Sequence, residues 1–160
     1  MIAENQPLPS GTVTEKGVLG VQSYNPAELF ASGTHVLFAV PGAFTPTCSE
    51  QHLPGYVNLA DKLAAAGVDS INCLAVNDAF VMRAWAEQLQ VGDAVRMLSD
   101  GDASYSDKLG LAKDMGSFGG MRSQRYAMVI KDGVVSHLFV EGEKQFELSK
   151  AEHVLAALQG

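Results

Sequence analysis

The chain has 160 residues, 47% of them apolar and 18% charged, the proportions of a globular protein with one core rather than of a disordered segment. Eleven basic residues against eighteen acidic ones give a formal charge of −7 with no basic run, which excludes nucleic acid as a partner recognised through its phosphates. The opening MIAENQPLPSG lacks the positive region and apolar run of a secretory signal, and no stretch approaches membrane-spanning length, so a cytoplasmic protein without a membrane partner is expected.

Residues 10–24 alternate around Gly17 and Gly20 and predict a β-hairpin. Asn25-Pro26 reads as an N-cap followed by proline at the first helical position, opening a short helix through Phe30. The run His35–Val40, ended by Pro-Gly, predicts a buried central strand. Helical spacing then runs from about Cys48 to Ala66, with a kink expected at Pro54. Ser70–Val76 predicts a second buried strand, Ala79–Gln90 an amphipathic helix, and Val95–Leu98 a short strand. A Ser-Asp-Gly-Asp turn and a short helix around Tyr105–Leu109 follow. Arg125–Lys131, Asp132-Gly133 and Val134–Val140 predict a hairpin. Ser149, with Glu152 three residues on, reads as the capping box of a closing helix.

No repeat, low-complexity tract or linker interrupts this order, so residues 1–160 are expected to form one domain. Hairpin, βαβαβα, hairpin and helix predict an α/β protein with a mixed central sheet flanked by helices and an N-terminal β-hairpin. A thioredoxin-like fold satisfies that order; a small flavodoxin-like fold stays open from the pattern alone.

The chemistry concentrates in Val40–Glu50, VPGAFTPTCSE, where a central strand hands over to a helix. Sites in open α/β sheets form at this edge. Cys48 falls at the helix start, where unpaired N–H groups and the helix dipole favour an anion, and a thiolate rather than a thiol is the nucleophile. Pro41 and Pro46 stiffen the loop, Thr45 places a hydroxyl within reach of the sulfur or of a substrate on it, and Phe44 could wall the site from water. The residues alone fit equally well a strand end, a cap and a small buried cysteine.

PGAFTPTCSEQHLPGY resembles the active-site signature of peroxiredoxins of the type II (fifth-class, atypical) branch, and VNDAFVMRAW (Val76–Trp85) and MRSQRYAMVIKDGVV (Met121–Val135) continue the resemblance. The resemblance implies a thioredoxin-like fold without a CxxC motif and a thiol-dependent peroxidase acting on hydrogen peroxide and organic hydroperoxides. It needs no metal or other cofactor. Cys48 matches the peroxidatic cysteine, Thr45 the threonine whose hydroxyl bonds the peroxide, and Pro41 the proline that shields the pocket. The arginine beside the sulfur matches Arg125, with Arg122 a weaker candidate. Thioredoxin, or glutathione with glutaredoxin, is implied as reductant, and a homodimer with contacts near Phe44 and Phe80 as the assembly.

Cys73, mid-strand in INCLAV, reads either as a small core thiol or as a resolving cysteine that closes a disulfide on Cys48, an arrangement resembling some type II members. No third cysteine stands near the C-terminus. Cys48 and His52, four apart on one helical face, could also form a hydrolase pair or two metal ligands, although His52 more readily packs beside the site. Asn77 and Asp78 read as turn and cap residues, and Phe80, Met82 and Trp85 as core. The alternative to an enzyme is a thiol redox sensor or binding module that uses oxidation of Cys48 as a switch.

Overall fold

The computed structural model describes residues 1–160. Its main sheet has seven strands: β1 (Val13–Gly17), β2 (Gly20–Tyr24), β3 (Thr34–Ala39), β4 (Ser70–Ala75), β5 (Arg96–Ser99), β8 (Tyr126–Lys131) and β9 (Val134–Val140). The order across it is β2-β1-β5-β4-β3-β8-β9. The three inner strands β5, β4 and β3 are parallel; the two hairpins join antiparallel, β1 against β5 and β8 against β3. This is the mixed, thioredoxin-like sheet expected from the order of elements, with the N-terminal hairpin at one edge.

Continuous apolar runs make the inner strands because both faces of the sheet are covered. Along β3, Val36 and Phe38 point to one face with Cys73 of β4, while Leu37 and Ala39 point to the other with Leu74. The first face packs under α2 (Leu53–Asn58), α3 (Ala60–Ala65), α4 (Ala79–Gln88) and α6 (Ala151–Gln159), through Tyr56, Leu63, Trp85 and Val154. The second packs under α1 (Pro26–Leu29) and α5 (Ser104–Leu109), with Phe30 beside α1, Tyr105 and Leu109. The caps read from sequence form at Asn25, which accepts from the Ala27 N–H, and at Asp78, which accepts from the Val81 N–H at 2.8 Å.

Three local readings change. The expected single helix from Cys48 opens as a π-turn (Cys48–His52) and breaks at Leu59 (φ −100°, ψ 8°), and Pro54 lies inside the first turn of α2. Pro54 has no N–H to return to the Glu50 carbonyl, and the Leu53 N–H reaches back five residues to the Cys48 carbonyl instead. The capping box at Ser149 does not form: Lys150 holds the N-cap position of α6 without a side-chain bond, and the Ser149 hydroxyl donates to Glu141. A second small sheet, β6 (Ala112–Asp114) against β7 (Met121–Ser123), was not expected from the sequence. A 3₁₀ turn (Gly116–Phe118) joins its strands.

Candidate active site

The loop after β3 is tied down before it reaches the cysteine. The Ala43 N–H donates to Asn77 Oδ1 at 2.9 Å, so the residue read as a plain turn former fastens the loop to the end of β4. The Ser49 N–H donates to the Thr45 carbonyl at 2.9 Å, which starts the helical turn at Thr45, with Pro46 in its first position and Cys48 within that turn. The Trp85 indole N–H, from α4, donates to Ser49 Oγ at 2.9 Å and braces the same turn from the core side.

Cys48 has no exposed surface. Arg125, the residue before β8, donates from Nη2 to its sulfur at 3.2 Å. A guanidinium is a permanent, planar cation, so this contact sets a fixed positive charge against the sulfur and leaves further N–H groups for an incoming oxygen. Arg122, the weaker candidate, is spent elsewhere: Nε donates to the Gly119 carbonyl at 2.8 Å and Nη1 to the Val76 carbonyl at 3.0 Å.

Arg125 is itself held. Its Nη1 donates to His52 Nδ1 at 2.8 Å, and its guanidinium lies 5.7 Å from the centre of the Phe146 ring. Because Nδ1 accepts, the ring proton of His52 is on Nε2, which donates to the Ser149 carbonyl at 3.1 Å. Burial first, and the Arg125 cation second, push the His52 pKa down to about 3, against the pull of the Ser149 carbonyl. His52 is therefore a neutral strut with both nitrogens engaged. It bonds Arg125 rather than Cys48, which removes the hydrolase and metal-ligand readings of the Cys48–His52 pair.

The remaining sequence candidates sit differently from one another. Thr45 is near the sulfur in the chain, but its hydroxyl donates to the Gly42 carbonyl at 2.7 Å. With its proton committed there, Thr45 Oγ1 offers an acceptor to a substrate O–H. Pro41 lines a cavity of about 700 Å³ together with Thr47, Gln124, Arg125, Glu141 and Phe146. Phe44 does not wall it: that residue is at φ 66°, 49% exposed, with its ring 6.5 Å from Trp85. Cys73 is fully buried in β4 between Phe38 of β3 and Met97 of β5. Burial foremost, then the neighbouring Cys48, pushes its thiol pKa well up, opposed by Arg125.

A buried cysteine in the first turn after a central strand, capped by an arginine, on a thioredoxin-like sheet defines a thiol-based redox enzyme. Comparison with known proteins agrees. Residues 3–155 match the redoxin family model. The chain is 54% identical over 136 residues to a chloroplastic peroxiredoxin-2E-2 of rice, covering 82% of this chain and 60% of that protein's length. It is 43% identical over 162 residues to the chloroplastic peroxiredoxin-2E of Arabidopsis thaliana, covering 98% of this chain and 69% of that one. The crystal structure of reduced Prx3 from Vibrio vulnificus in complex with hydrogen peroxide superposes with a TM-score of 0.97 at 56% identity, covering 99% of both chains. The chain belongs to the peroxiredoxin family, in its type II branch, and is a thiol-dependent peroxidase.

Proposed function

We propose that Cys48 is the peroxidatic nucleophile, with Arg125 as its electrostatic partner, Thr45 as the substrate acceptor and Pro41 as part of the pocket wall. The observation that carries this reading is the 3.2 Å contact from Arg125 Nη2 to Cys48 Sγ. The thiolate attacks one peroxide oxygen, an S–O bond forms and the O–O bond breaks. Its electron pair leaves on the second oxygen, which takes a proton to become water or an alcohol. Sulfur is oxidised by two electrons to the sulfenic acid. Negative charge grows on the leaving oxygen, where the guanidinium N–H groups of Arg125 are aimed.

Hydrogen peroxide and organic hydroperoxides are the proposed substrates, a reading supported by the hydrogen peroxide held by the Vibrio relative. An external thiol, from thioredoxin or from glutathione with glutaredoxin, then attacks the sulfenic sulfur. Water leaves with the oxygen, and a second thiol resolves the mixed disulfide. Cys73 as the resolving thiol would need the Cys48 turn to open, since β-pairing on both sides fixes it as a neutral buried thiol.

Residues 1–160 are proposed to act as one domain and to pair as a homodimer, with Phe44 and Phe80, 49% and 63% exposed, as candidate contacts. A reducing setting such as the cytoplasm suits two free thiols, while the plant relatives named above are chloroplastic. Cys48→Ser should abolish peroxide consumption with either reductant system; a variant that still turns over would refute the assignment.

A further inference from the structure

A continuous hydrogen-bond path leads from a carboxylate beyond β9 to the Cys48 sulfur. Glu141 Oε2 accepts three donors: the Glu147 N–H at 2.8 Å, the Ser149 N–H at 2.8 Å and the Ser149 hydroxyl at 2.6 Å. Those bonds curl residues 142–149 into one shape and leave the Ser149 carbonyl facing the core. That carbonyl accepts from His52 Nε2 at 3.1 Å and from the Tyr56 hydroxyl at 2.7 Å. His52 Nδ1 accepts from Arg125 at 2.8 Å, and Arg125 donates to the sulfur at 3.2 Å.

The same residue holds Arg125 from a second side, because the Glu141 N–H donates to the Arg125 carbonyl at 3.0 Å. The curled loop also supplies the Phe146 ring, edge-on to His52 at 5.0 Å and beneath the guanidinium. Glu141 and Ser149 are 9% and 0% exposed, so little solvent is at hand to replace these bonds when one is lost. Burial opposes the charge on Glu141, but its bonds to Ser149, Leu148 and Glu147 outweigh it and hold the pKa below the ordinary carboxylate value.

We propose that Glu141 is a positioning residue for the peroxide reaction, acting through the Ser149 carbonyl and His52 to hold Arg125 on the Cys48 sulfur. This rests on the assignment of Cys48 and Arg125 above. Glu141 borders the cavity beside Pro41 and Arg125, but its Oε2 is engaged by residues 147 and 149 rather than by the sulfur or Arg125. It fixes where the positive charge stands, and an arginine free to swing away would lose the alignment that fixed electrostatics requires.

The test is a double-mutant cycle read by stopped-flow oxidation of the reduced protein with hydrogen peroxide. Glu141→Ala should lower the second-order rate constant about tenfold or more where Arg125 is present, and by less than about twofold in the Arg125→Ala background. Glu141→Gln keeps an oxygen for the three donors and should retain the rate to within about threefold. If Glu141→Ala fails to fold, Ser149→Ala removes only the hydroxyl link and should show a smaller loss with the same dependence on Arg125. Equal losses in both backgrounds, or none in either, would overturn the relay. Arg125→Ala alone reads the parent assignment: if it keeps the full rate, the role of Arg125 falls, whatever Glu141 does.

Discussion

Cys48 has one polar side-chain neighbour of consequence, and the rate of the first step should depend on it. Arg125→Ala removes the 3.2 Å contact and should lower the second-order rate constant for hydrogen peroxide about 100-fold, measured by stopped-flow; a loss below about threefold would deny the arginine its role. Thr45→Ser keeps the acceptor and the bond to the Gly42 carbonyl, whereas Thr45→Val removes both and should cost about tenfold on the same assay. His52 gives a pH signature of its own. In the unfolded chain it takes a proton near pH 6.5, and in the folded protein only near 3, so the unfolded state binds more protons in that window. Stability should therefore fall as pH drops from 6.5 toward 3, by an amount on the order of 4 kcal/mol for this group alone. His52→Asn, whose side chain does not titrate, should show a shallower slope in denaturant titrations at stepped pH. At this scale the sequence was most informative for Cys48 and Arg125, which lie in recognisable runs. It was silent on the bond between His52 and Ser149, because their 97-residue separation closes only through the packing of α2 against α6.

The element that matters most is the π-turn from Cys48 to His52, which runs directly into a proline that has no N–H to return to the preceding turn. Pro54→Ala supplies a donor for the Glu50 carbonyl and should let the turn tighten toward an α-helix, rotating Cys48 away from Arg125. The variant is expected to fold at least as stably in thermal unfolding while reacting about tenfold more slowly with peroxide. An unchanged rate would show that the wide turn is not what aims the sulfur. Elements with a strong period were legible: the runs Thr34–Ala39 and Ser70–Ala75, the Asp132-Gly133 hairpin and the Asn25 cap all carry local signals. β6 and β7 carry none, being three residues each (AKD and MRS) with no alternation to read. The capping box failed for a physical reason as well. Ser149 lies one position before the N-cap residue Lys150, and its hydroxyl donates to Glu141, a tertiary partner, without accepting from a first-turn N–H of α6.

In the whole molecule, one sheet carries a core on each face, and the cysteine follows the carboxyl end of the inner strand β3. Because β3, β4 and β8 contribute side chains to both cores, neither face can unfold while the other stays packed. Chemical denaturation followed by Trp85 fluorescence and by far-ultraviolet circular dichroism should give coincident transitions, and two separated ones would contradict the proposal of one domain. The mixed sheet was legible because alternating strands and helices leave few arrangements. The network behind Arg125 was not, since it draws on residues 52, 141 and 149 that no motif connects. The role of Cys48 is read most directly by stopped-flow mixing of the reduced protein with one equivalent of hydrogen peroxide and no thiol, followed by peptide mass analysis. Rapid loss of the peroxide is expected, with one oxygen gained on the peptide containing Cys48, and neither event in Cys48→Ser. Oxygen found on Cys73 or on a methionine with Cys48 untouched, at the same rate, would contradict that role.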